Sequence, residues 1–599
     1  MRGMNTTHLL NSRESLLKLL RDWSERGWLR ELDVALARFF ADLDANAAPL
    51  LLLGAALTSH QLGRGHVCLD LAATLKNPDA ALSLSLQSEA ENTAAQLLNG
   101  LSLATWQDTL TASPLLSDTN SPLVIAGTRL YLRRYWQYER AVADRLAAFR
   151  QAAVNVPPDL ESHLNQLFTA DNSEQKQACA TAARHRFAII TGGPGTGKTT
   201  TVVRLLALLQ TVEMAAGRSL TIKLAAPTGK AAARLTESIR AQVDVLPVAD
   251  EVRANIPREV ATVHRLLGTL PGSRHFRHNQ QNPLQLDVLV IDEASMVSLE
   301  MMANLLDALP ATARLILLGD KDQLASVEAG AVLGDLCATD APHIAKLTHS
   351  HRFGNDSGIG QLAQAVNAGH APAARELFRR QISAVQLSAD DPALNELLRE
   401  GYVAYLNALN ARPTSTDIAA VEKWATEVLA AFDQFRLLCA VREGAWGVEE
   451  QNRRIVQTLY QREDHGWYTG RPVMVTQNDY SLNLMNGDIG IALELPDGLR
   501  VVFPKNDGNP GLRYLHPSRL GEVETAFAMT VHKSQGSEFA HTALLLPDAS
   551  NPILTRELLY TAITRAKTRF SLIESGEDVF EDAVARRVER YSGLSDANL

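Results

Sequence analysis

The chain has 599 residues, which is too long for one hydrophobic core and, at about 100–200 residues per domain, predicts about three to five units. Hydrophobic residues make up 46% and charged residues 21%, a composition that excludes a mainly disordered chain. The net charge of −9 excludes a surface that attracts DNA everywhere, because non-specific DNA affinity depends on Lys and Arg paired with phosphates. Any DNA site must therefore be a local channel.

The cysteines and the apolar segments argue against a disulfide framework, a zinc ribbon and a membrane anchor. No two of the four cysteines form a C-x-x-C pair, so reduced, buried thiols are expected at Cys68, Cys179, Cys337 and Cys439. The N-terminus lacks the continuous apolar stretch of a secretory signal. The apolar run 48–57 is about half of what spans a bilayer, so it predicts a buried core helix. We therefore expect a cytoplasmic protein.

In chain order, residues 1–155 are rich in Leu and Ala and predict a mainly helical N-terminal domain. The domain ends at Val156-Pro157-Pro158, because two prolines disfavour helix continuation. Residues 156–350 are expected to form a first α/β lobe. Its short β-type runs alternate with helical stretches, as in a parallel sheet, and lie at 187–191, 224–227, 288–292 and 315–319.

Residues 351–599 predict a second α/β lobe. Its strand candidates are 437–441, 526–531 and 542–546. Between residues 468 and 522 the pattern changes to alternation with turns at Asn486-Gly487-Asp488 and Asp497-Gly498, which predict the hairpins of a small inserted β-barrel. The predicted fold class is therefore α/β, with two parallel-sheet lobes behind a helical domain.

A phosphate-binding loop follows the first strand of the first lobe. It consists of Gly192, Gly193, Pro194, Gly195, Thr196, Gly197, Lys198, Thr199 and Thr200. Glycines are required because backbone N–H groups must point at phosphate oxygens with no Cβ in the way and a helix N-terminus behind them. We expect Lys198 to reach the β and γ phosphates of ATP and the Thr199 hydroxyl to hold Mg²⁺.

A second aliphatic strand ends in two acids, Asp292 and Glu293. The carboxyl end of such a strand lies beside the phosphate loop, where Asp292 can hold Mg²⁺ through water. Glu293 is the natural base to orient and activate the attacking water. Upstream, residues 173–178 resemble an adenine-reading motif in which Gln175 is the expected reader, although Gln177 would serve the same purpose.

Six further segments resemble the motifs of superfamily 1 DNA helicases, and they are 226–235, 262–268, 319–327, 347–353, 530–539 and 560–566. By that resemblance, DNA is contacted in the first lobe by Pro227, Thr228, Lys230 and His264, and in the second lobe by Thr530, His532 and Lys533. Gln323 is placed to sense the γ-phosphate. Arg352 and Arg565 stand in second-lobe motifs that complete the ATP site, and an arginine finger contributes about 10³ to 10⁵ in phosphoryl-transfer rate.

Together these motifs resemble the RecD family, the alpha subunits of exodeoxyribonuclease V (RecBCD), over about residues 170–575. The resemblance implies two RecA-like motor lobes, an SH3-like inserted barrel and an ATP-dependent 5′→3′ helicase that acts on single-stranded and duplex-end DNA. It also implies a heterotrimer with RecB and RecC, a role in double-strand break repair by homologous recombination, and degradation of linear DNA. Residues 57–69 resemble the same family, whose N-terminal domain docks on RecC.

Three alternatives remain open at this point. A stand-alone RecD-like 5′→3′ helicase would carry helix-hairpin-helix repeats before the motor, and none is found in the first 170 residues. Asp159 with Glu174 and Lys176 formally fits a loose nuclease pattern, although nuclease activity is expected in a partner subunit. A non-motor ATPase switch is the third alternative, and the DNA-contact motifs argue against it.

Two segments carry cations that these motifs do not use. Residues 131–140 interleave aromatics with cations, as a base-stacking platform would, but a helix that buries its aromatic side is expected. Residues 274–278 fit either a DNA-facing hairpin tip or a solvated loop.

Overall fold

The computed structural model of the chain describes residues 10, 12–82, 92–169, 172–270, 272–353, 357–380, 384–388, 391–414, 417–479, 481–505 and 511–594. All four cysteines are free and buried, as predicted. None of the helices within these ranges combines the length and apolarity that crossing a bilayer requires.

The N-terminal region is mainly helical, as predicted, and has its own core. Its helices are Arg13–Glu25, Glu31–Leu43, Pro49–Gly63, Leu71–Lys76, Ala94–Leu97, Leu103–Thr111 and Arg133–Gln151. The apolar run 48–57 forms the centre of this core, because Pro49 starts a helix that is buried on every side. A small antiparallel sheet covers one end, and its strands in spatial order are Leu69–Asp70, Arg129–Leu132 and Leu123–Ala126.

The first lobe is built on a parallel sheet with helices on both faces, as predicted. Its strands in spatial order are Ala261–Thr262, Ile222–Ala226, Val288–Ile291, Arg314–Gly319, Phe187–Gly192 and Ile344–Leu347. Its helices are Leu160–Leu167, Ser173–Arg184, Lys198–Ala215, Gly229–Asp244, Asp250–Ala254, Val263–Leu267, Leu299–Ala308 and Val332–Leu336. The strands read as continuous apolar runs because both faces of the sheet are covered.

The second lobe is also a parallel sheet. Its strands in spatial order are Ala384–Ser388, Ala566–Glu574, Phe539–Leu545, Phe435–Cys439 and Ala528–Thr530. Its helices are Gly358–Asn367, Ala371–Arg380, Asp391–Asn410, Ile418–Phe432, Val448–Tyr460, Arg556–Ile563 and Val579–Ala585. The predicted strands at 437–441, 526–531 and 542–546 each overlap an observed strand, with ends shifted by one to three residues.

The insert in the second lobe is a five-stranded antiparallel sheet. Its strands in spatial order are Leu512–Leu515, Gly498–Pro504, Ile489–Leu495, Pro472–Val475 and Val523–Thr525. Asp497-Gly498 forms a hairpin turn as predicted, whereas Asn486-Gly487 ends a longer loop, 476–488, instead of joining two strands directly. No pairing among the described residues joins the two edge strands, so closure into an SH3-like barrel stays a prediction.

The aromatic segment 131–140 is buried against the first lobe. Tyr131 lies in a strand, and the helix Arg133–Gln151 follows it. Its partly buried aromatic side chains pack on the core of the first lobe, and Tyr138 donates to Glu300 at 3.2 Å. The expected helix with a buried aromatic side is therefore confirmed, and the N-terminal region and the first lobe share one core.

The C-terminal strap, residues 586–594, crosses from the second lobe to the N-terminal region. The backbone N–H of Val67 donates to the Tyr591 carbonyl at 2.9 Å, and the Tyr591 N–H donates to His66 Nδ1 at 3.0 Å. The His66 and Tyr591 rings stack with their centroids 5.0 Å apart. Leu594 is 1% exposed and joins the core shared by the N-terminal region and the first lobe. The sequence pattern did not indicate this crossing, since it assigned the segment to the second lobe.

Glu139 joins the strap to the N-terminal region through hydrogen bonds, and loss of its side chain should destabilise the fold. Its carboxylate accepts from the Tyr131 hydroxyl at 3.0 Å and from the Gly593 N–H at 2.8 Å. Glu139→Ala leaves the buried Tyr131 hydroxyl and the half-buried Gly593 N–H without this acceptor, so we expect the free energy of unfolding to fall by about 1–3 kcal/mol. Thermal melting measures the effect. Asp144→Ala is the matched control, because Asp144 lies exposed on the same helix and its loss should change stability by less than about 0.5 kcal/mol. Equal melting temperatures for the two variants would contradict the assignment.

Candidate active site between the two lobes

A cavity of about 570 Å³ opens between the two lobes. Among the residues that line it are Gln175, Pro194, Gly195, Thr196, Gly197, Lys198, Thr199, Thr200, Asp292, Glu293, Gln323, Arg352 and Arg565. All six predicted catalytic residues therefore meet at one cavity, although they are spread over 368 positions, from 198 to 565. Of the predicted nucleotide-binding residues, Gly192 and Gly193 do not line the cavity.

The phosphate-binding loop connects the strand Phe187–Gly192 to the helix Lys198–Ala215. Gly195 and Gly197 have φ values of +77° and +83°, a conformation that favours glycine. The second reason for glycine is space, because a Cβ on Gly195 would lie 2.3 Å from Arg352 Cβ. The Lys198 ammonium donates to the Gly192 and Gly193 carbonyls at 2.5 and 3.0 Å, which holds it inside the loop.

Asp292 and Glu293 follow the buried strand Val288–Ile291, as predicted. The Glu293 N–H donates to Asp292 Oδ1 at 2.9 Å, and Glu293 itself has a φ of 51°, which is strained for a residue with a side chain. Burial, together with the adjacent Glu293 charge, raises the pKa of the Asp292 carboxyl. The two acids therefore present excess negative charge that a bound cation would stabilise.

Arg565 reaches across the seam between the lobes and contacts Gln323. Its Nη2 donates to Gln323 Oε1 at 3.0 Å, while Nη1 donates to the Ser537 carbonyl at 3.1 Å. Gln323 is held in turn by donating to Asp320 Oδ2 at 3.1 Å. The Arg565 side chain is buried, and this burial lowers the pKa of its guanidinium, although several nearby carboxylates act in the opposite direction.

Further hydrogen bonds across the same seam involve residues that the sequence motifs contained but did not single out. The Tyr560 hydroxyl donates to Asp320 Oδ2 at 3.0 Å, on the same carboxylate that holds Gln323. The Leu324 N–H donates to Thr561 Oγ1 at 3.0 Å, and the Leu324 carbonyl accepts from Gln535 Nε2 at 2.9 Å. The segment 320–324, which follows the strand Arg314–Gly319, is therefore hydrogen-bonded to four second-lobe side chains, and these are Gln535, Tyr560, Thr561 and Arg565.

Arg352 is held by an acid that sequence reasoning missed. Arg352 Nη1 lies 2.7 Å from Glu538 Oε1, and Arg234 pairs with the same oxygen. Although burial acts to raise it, the charges of Arg234 and Arg352 hold the pKa of Glu538 below its ordinary value. Glu538 lies at the end of the predicted DNA-contact motif 530–539, so the sequence indicated that its position matters. The sequence did not indicate that Glu538 pairs with Arg234 and Arg352.

Gln175, the predicted adenine reader, lies in the cavity wall. Its Nε2 is 3.1 Å from His351 Nε2, and its buried Oε1 is left without a hydrogen-bond partner. An unsatisfied buried acceptor is costly unless a ligand donor reaches it. Gln177, the alternative reader, is exposed and does not line the cavity. The geometry therefore favours Gln175 of the two.

The predicted DNA-contact residues lie outside the cavity. Pro227 precedes Thr228, whose hydroxyl caps the helix Gly229–Asp244. Burial lowers the pKa of the half-buried Lys230 to about 8, so a nearby phosphate would stabilise its charged form. His264 is exposed, with its ring centroid 6.0 Å from that of Phe276.

In the second lobe, the predicted DNA contacts form a short turn. The Thr530 hydroxyl accepts from the Lys533 N–H at 3.2 Å, and His532 starts the 3₁₀ helix between them. Lys533 Nζ donates to Asn486 at 2.8 Å, at the end of the insert loop 476–488. The same loop reaches the first lobe, because a Cβ on Gly229 would lie 2.9 Å from Met485 Cγ. The insert loop therefore lies against DNA-contact motifs of both lobes.

The residues of the loose nuclease pattern are engaged elsewhere. Glu174 accepts from the N–H groups of Thr348 and His349, at 2.8 and 3.1 Å. Lys176 pairs with Glu161 at 3.3 Å, and Asp159, which precedes the helix Leu160–Leu167, contacts His163 of that helix at 3.0 Å. Within the described ranges, no three His, Cys, Asp or Glu residues are grouped as metal ligands.

The chain is similar to known proteins over nearly its whole length. Residues 25–131 match the family model "RecBCD enzyme subunit RecD, N-terminal domain", residues 175–329 match "AAA domain", and residues 525–573 match "UvrD-like helicase C-terminal domain". The RecBCD enzyme subunit RecD of Mycolicibacterium smegmatis is 44% identical, over 82% of this chain and 85% of its own. That of Mycobacterium tuberculosis H37Rv is 41% identical, over 96% of both chains. The ATP-dependent RecD2 DNA helicase of Deinococcus radiodurans is 31% identical, over 79% of this chain and 60% of its own.

Gly195→Ala should disrupt the phosphate-binding loop by displacing Arg352. The new Cβ would overlap Arg352 Cβ, and a displacement of about 1 Å at a reacting centre costs about 10²-fold in rate. We therefore expect kcat for DNA-stimulated ATP hydrolysis to fall by about 10²-fold, measured by steady-state phosphate release.

Gly217→Ala is the matched control for this prediction. Gly217 has a φ of +78°, nearly the same as Gly195, but a Cβ there meets nothing within 4 Å. This variant carries the same backbone strain, about 1–2 kcal/mol, and should retain its ATPase rate. If both variants lost activity equally, backbone strain would explain the effect and the clash would not.

Proposed function

Because the chain belongs to the RecD family of RecBCD enzyme subunits, it is an ATP-dependent DNA helicase, and we propose that it moves 5′→3′ within a heterotrimer with RecB and RecC. The observation that carries the motor mechanism is the contact between Arg565 of the second lobe and Gln323 of the first, in the wall of the cavity that holds the phosphate loop. A cation that is supplied across a seam makes hydrolysis depend on how the two lobes are positioned.

ATP is proposed to bind with its phosphates on the loop around Gly195 and its adenine at Gln175. The γ-phosphate would compete for donors that now bond protein carbonyls, above all the Lys198 ammonium on Gly192 and Gly193. Phosphate oxygens are stronger acceptors than carbonyls, so Lys198 should turn from the loop toward the nucleotide. The unsatisfied Gln175 Oε1 supports the adenine site, since the adenine amino group is a donor.

Hydrolysis is proposed to follow from the positions of Glu293 and the cavity arginines. Glu293 takes a proton from a water that attacks the γ-phosphorus, the bond to the β-phosphate oxygen breaks, and ADP and phosphate are released. The charge that develops on the transferred phosphoryl group is stabilised by Lys198, Arg352 and Arg565. Glu538 positions Arg352 through the 2.7 Å ion pair.

Thr199 and Asp292 are proposed to hold Mg²⁺. A hydroxyl and a carboxylate are oxygen donors of the kind that this ion prefers, and it commonly binds through one or two protein groups, with water and substrate phosphates completing the shell. The raised pKa of Asp292 supports a cation at this position. When bound, the ion neutralises charge on the β and γ phosphates.

Movement along DNA is proposed to follow from the seam contacts. Gln323 can exchange its bond to Arg565 for one to the γ-phosphate, and the adjacent Leu324 is bonded to Thr561 and Gln535 of the second lobe. A change at the γ-phosphate would therefore alter how the second lobe is held. The DNA contacts proposed in both lobes, such as Lys230 and Lys533, would shift with the lobes.

The partners and the biological role are proposed from the family. We expect residues 1–155 to dock on RecC, residues 156–350 and 351–599 to form the RecA-like motor with an SH3-like insert at 468–522, and a partner subunit to carry the nuclease activity. The complex would act in the cytoplasm on single-stranded DNA and duplex ends, in double-strand break repair by homologous recombination and in degradation of linear DNA. The stand-alone alternative is less favoured, because the RecD2 relative matches over only 60% of its own length, whereas the M. tuberculosis subunit matches over 96%.

Arg565→Ala should separate nucleotide binding from hydrolysis. Loss of an arginine finger lowers the phosphoryl-transfer rate by about 10³–10⁵-fold, and a lysine in its place cannot donate to Gln323 and Ser537 in the same forked geometry. We expect single-turnover hydrolysis to fall by that range in both Arg565→Ala and Arg565→Lys, with ATP still bound. Arg569→Ala, four residues away and exposed, is the control and should hydrolyse ATP normally. A near-normal rate in Arg565→Ala would exclude the assigned role.

The direction of movement can be tested by strand displacement. We expect the complex to open a duplex with a 5′ single-stranded tail and to leave a 3′-tailed duplex closed when any ATP hydrolysis by the partner subunits is inactivated. Lys198→Gln should abolish both DNA-stimulated ATP hydrolysis and strand displacement, while the circular dichroism spectrum stays unchanged. Opening of the 3′-tailed duplex instead, or displacement that persists in Lys198→Gln, would refute the proposed motor.

A further inference from the structure

A groove of about 1150 Å³ is lined by Leu324, the residue that follows Gln323 of the ATP cavity. One wall comes from the N-terminal region, at Gln61 to Leu69 and at Lys76, and another from the second lobe around Asn551. The C-terminal strap closes the third side, and Leu324 with Val327 of the first lobe forms the floor. The groove therefore exists only because the strap and the N-terminal region pack against the motor.

The groove is continuous with the predicted DNA track of the motor. His532, a predicted DNA-contact residue, lines the groove, while Lys533 beside it points to the insert loop. Leu324 lines the groove as well and is bonded through its backbone to the second lobe. A strand that touches the motif 530–539 would therefore meet the groove as it leaves that turn.

The lining of the groove is positively charged, whereas the chain as a whole is negatively charged. The described residues that line it include five Arg and Lys side chains against one acid, Glu589, and these cations are Arg64, Lys76, Arg586, Arg587 and Arg590. The chain as a whole has a net charge of −9, so this concentration of cations is local. Such a surface attracts a polyanion. Because the chain as a whole is acidic, a DNA site must be a local cationic channel, and this groove is one.

Two of the cations are available to a ligand. Lys76 is exposed and, within the described ranges, has no ion-pair partner, and Arg587 is 69% exposed with only a 4.0 Å contact to Glu557. The others help to build the groove. Arg586 donates to the Asn551 carbonyl of the second-lobe wall, Arg590 donates to the Gly330 carbonyl of the first lobe, and Arg590 Nε is buried without a hydrogen-bond partner.

Apolar surface beside the cations suits the bases of a single strand. Val327 is 73% exposed in the groove floor, and Ile553 is 38% exposed in the second-lobe wall. Tyr591 presents a half-buried ring that is already stacked on His66. Single-strand sites combine cations that follow the backbone with apolar and aromatic faces for bases, and the groove has both.

We propose that this groove binds the phosphate backbone of single-stranded DNA and carries the strand from His532 across the N-terminal region along the C-terminal strap. The proposal rests on the proposed helicase function. An acidic protein segment would also satisfy the charge, but DNA is favoured because the groove begins at a residue of the DNA-contact motif. The segment 57–69 then forms a wall of the DNA path in addition to any role in docking.

The salt dependence of binding tests the groove directly. For single strands, each phosphate contact contributes about 0.7 to the slope of log affinity against log salt concentration. We expect Lys76→Ala and Arg587→Ala each to reduce this slope by about 0.7 in the full chain, measured by fluorescence anisotropy with labelled oligothymidylate. Lys18→Ala is the matched control, since Lys18 is exposed in the same region but away from the groove, and it should leave the slope unchanged. Unaltered slopes in both groove variants would overturn the proposal.

A crosslink distinguishes DNA from a protein occupant. A photo-reactive amino acid at Asn77, which lines the groove, should crosslink to oligothymidylate in the assembled complex, whereas the same residue at position 18 should not. A crosslink from position 77 to a partner subunit in place of DNA would overturn the proposal. Failure of the underlying function would show differently, as absence of DNA-stimulated ATP hydrolysis in the unaltered complex.

Discussion

The hydrogen bond between Arg565 and Gln323 joins the two lobes at the point where the phosphate loop, the acids and the arginines converge. Each lobe alone holds only part of this set. Around the bond, Asp320 accepts from both Gln323 and Tyr560, so the segment that would sense the nucleotide is also the segment that the second lobe grips. The position of the second lobe and the geometry of the cavity are therefore set by the same few contacts.

Local patterns in the sequence predicted the parts of the site that are continuous in the chain. The phosphate loop, the strand before Asp292 and the turn at Asp497-Gly498 each depend on neighbouring residues, and the structure places them as expected. Gln175 was weaker as a prediction because a glutamine near a helix start has many uses. Its unsatisfied buried oxygen is information that only the packed structure supplies.

The parts that could not be predicted depend on residues that are far apart in the chain. Glu538 pairs with Arg234 and Arg352, and no periodicity or spacing connects those positions. The Asn486-Gly487 pair was interpreted as a hairpin turn, but it ends a loop whose other contacts lie in both lobes. The same limit applies to the C-terminal strap, whose polar and charged sequence resembles an exposed tail, and which is nevertheless held by donors and acceptors more than 250 residues away.

The strap also has a consequence for biogenesis. Leu594 fills a position in a core that otherwise consists of residues from the N-terminal region and the first lobe, and Tyr591 completes the backbone bonding of Val67. A ribosome makes these residues well after the N-terminal region and the first lobe, so the apolar surface that they cover stays exposed until this segment emerges. Exposed apolar surface on a nascent chain is what chaperones bind. The core that the N-terminal region and the first lobe share is therefore completed only after residues 586–594 have been made.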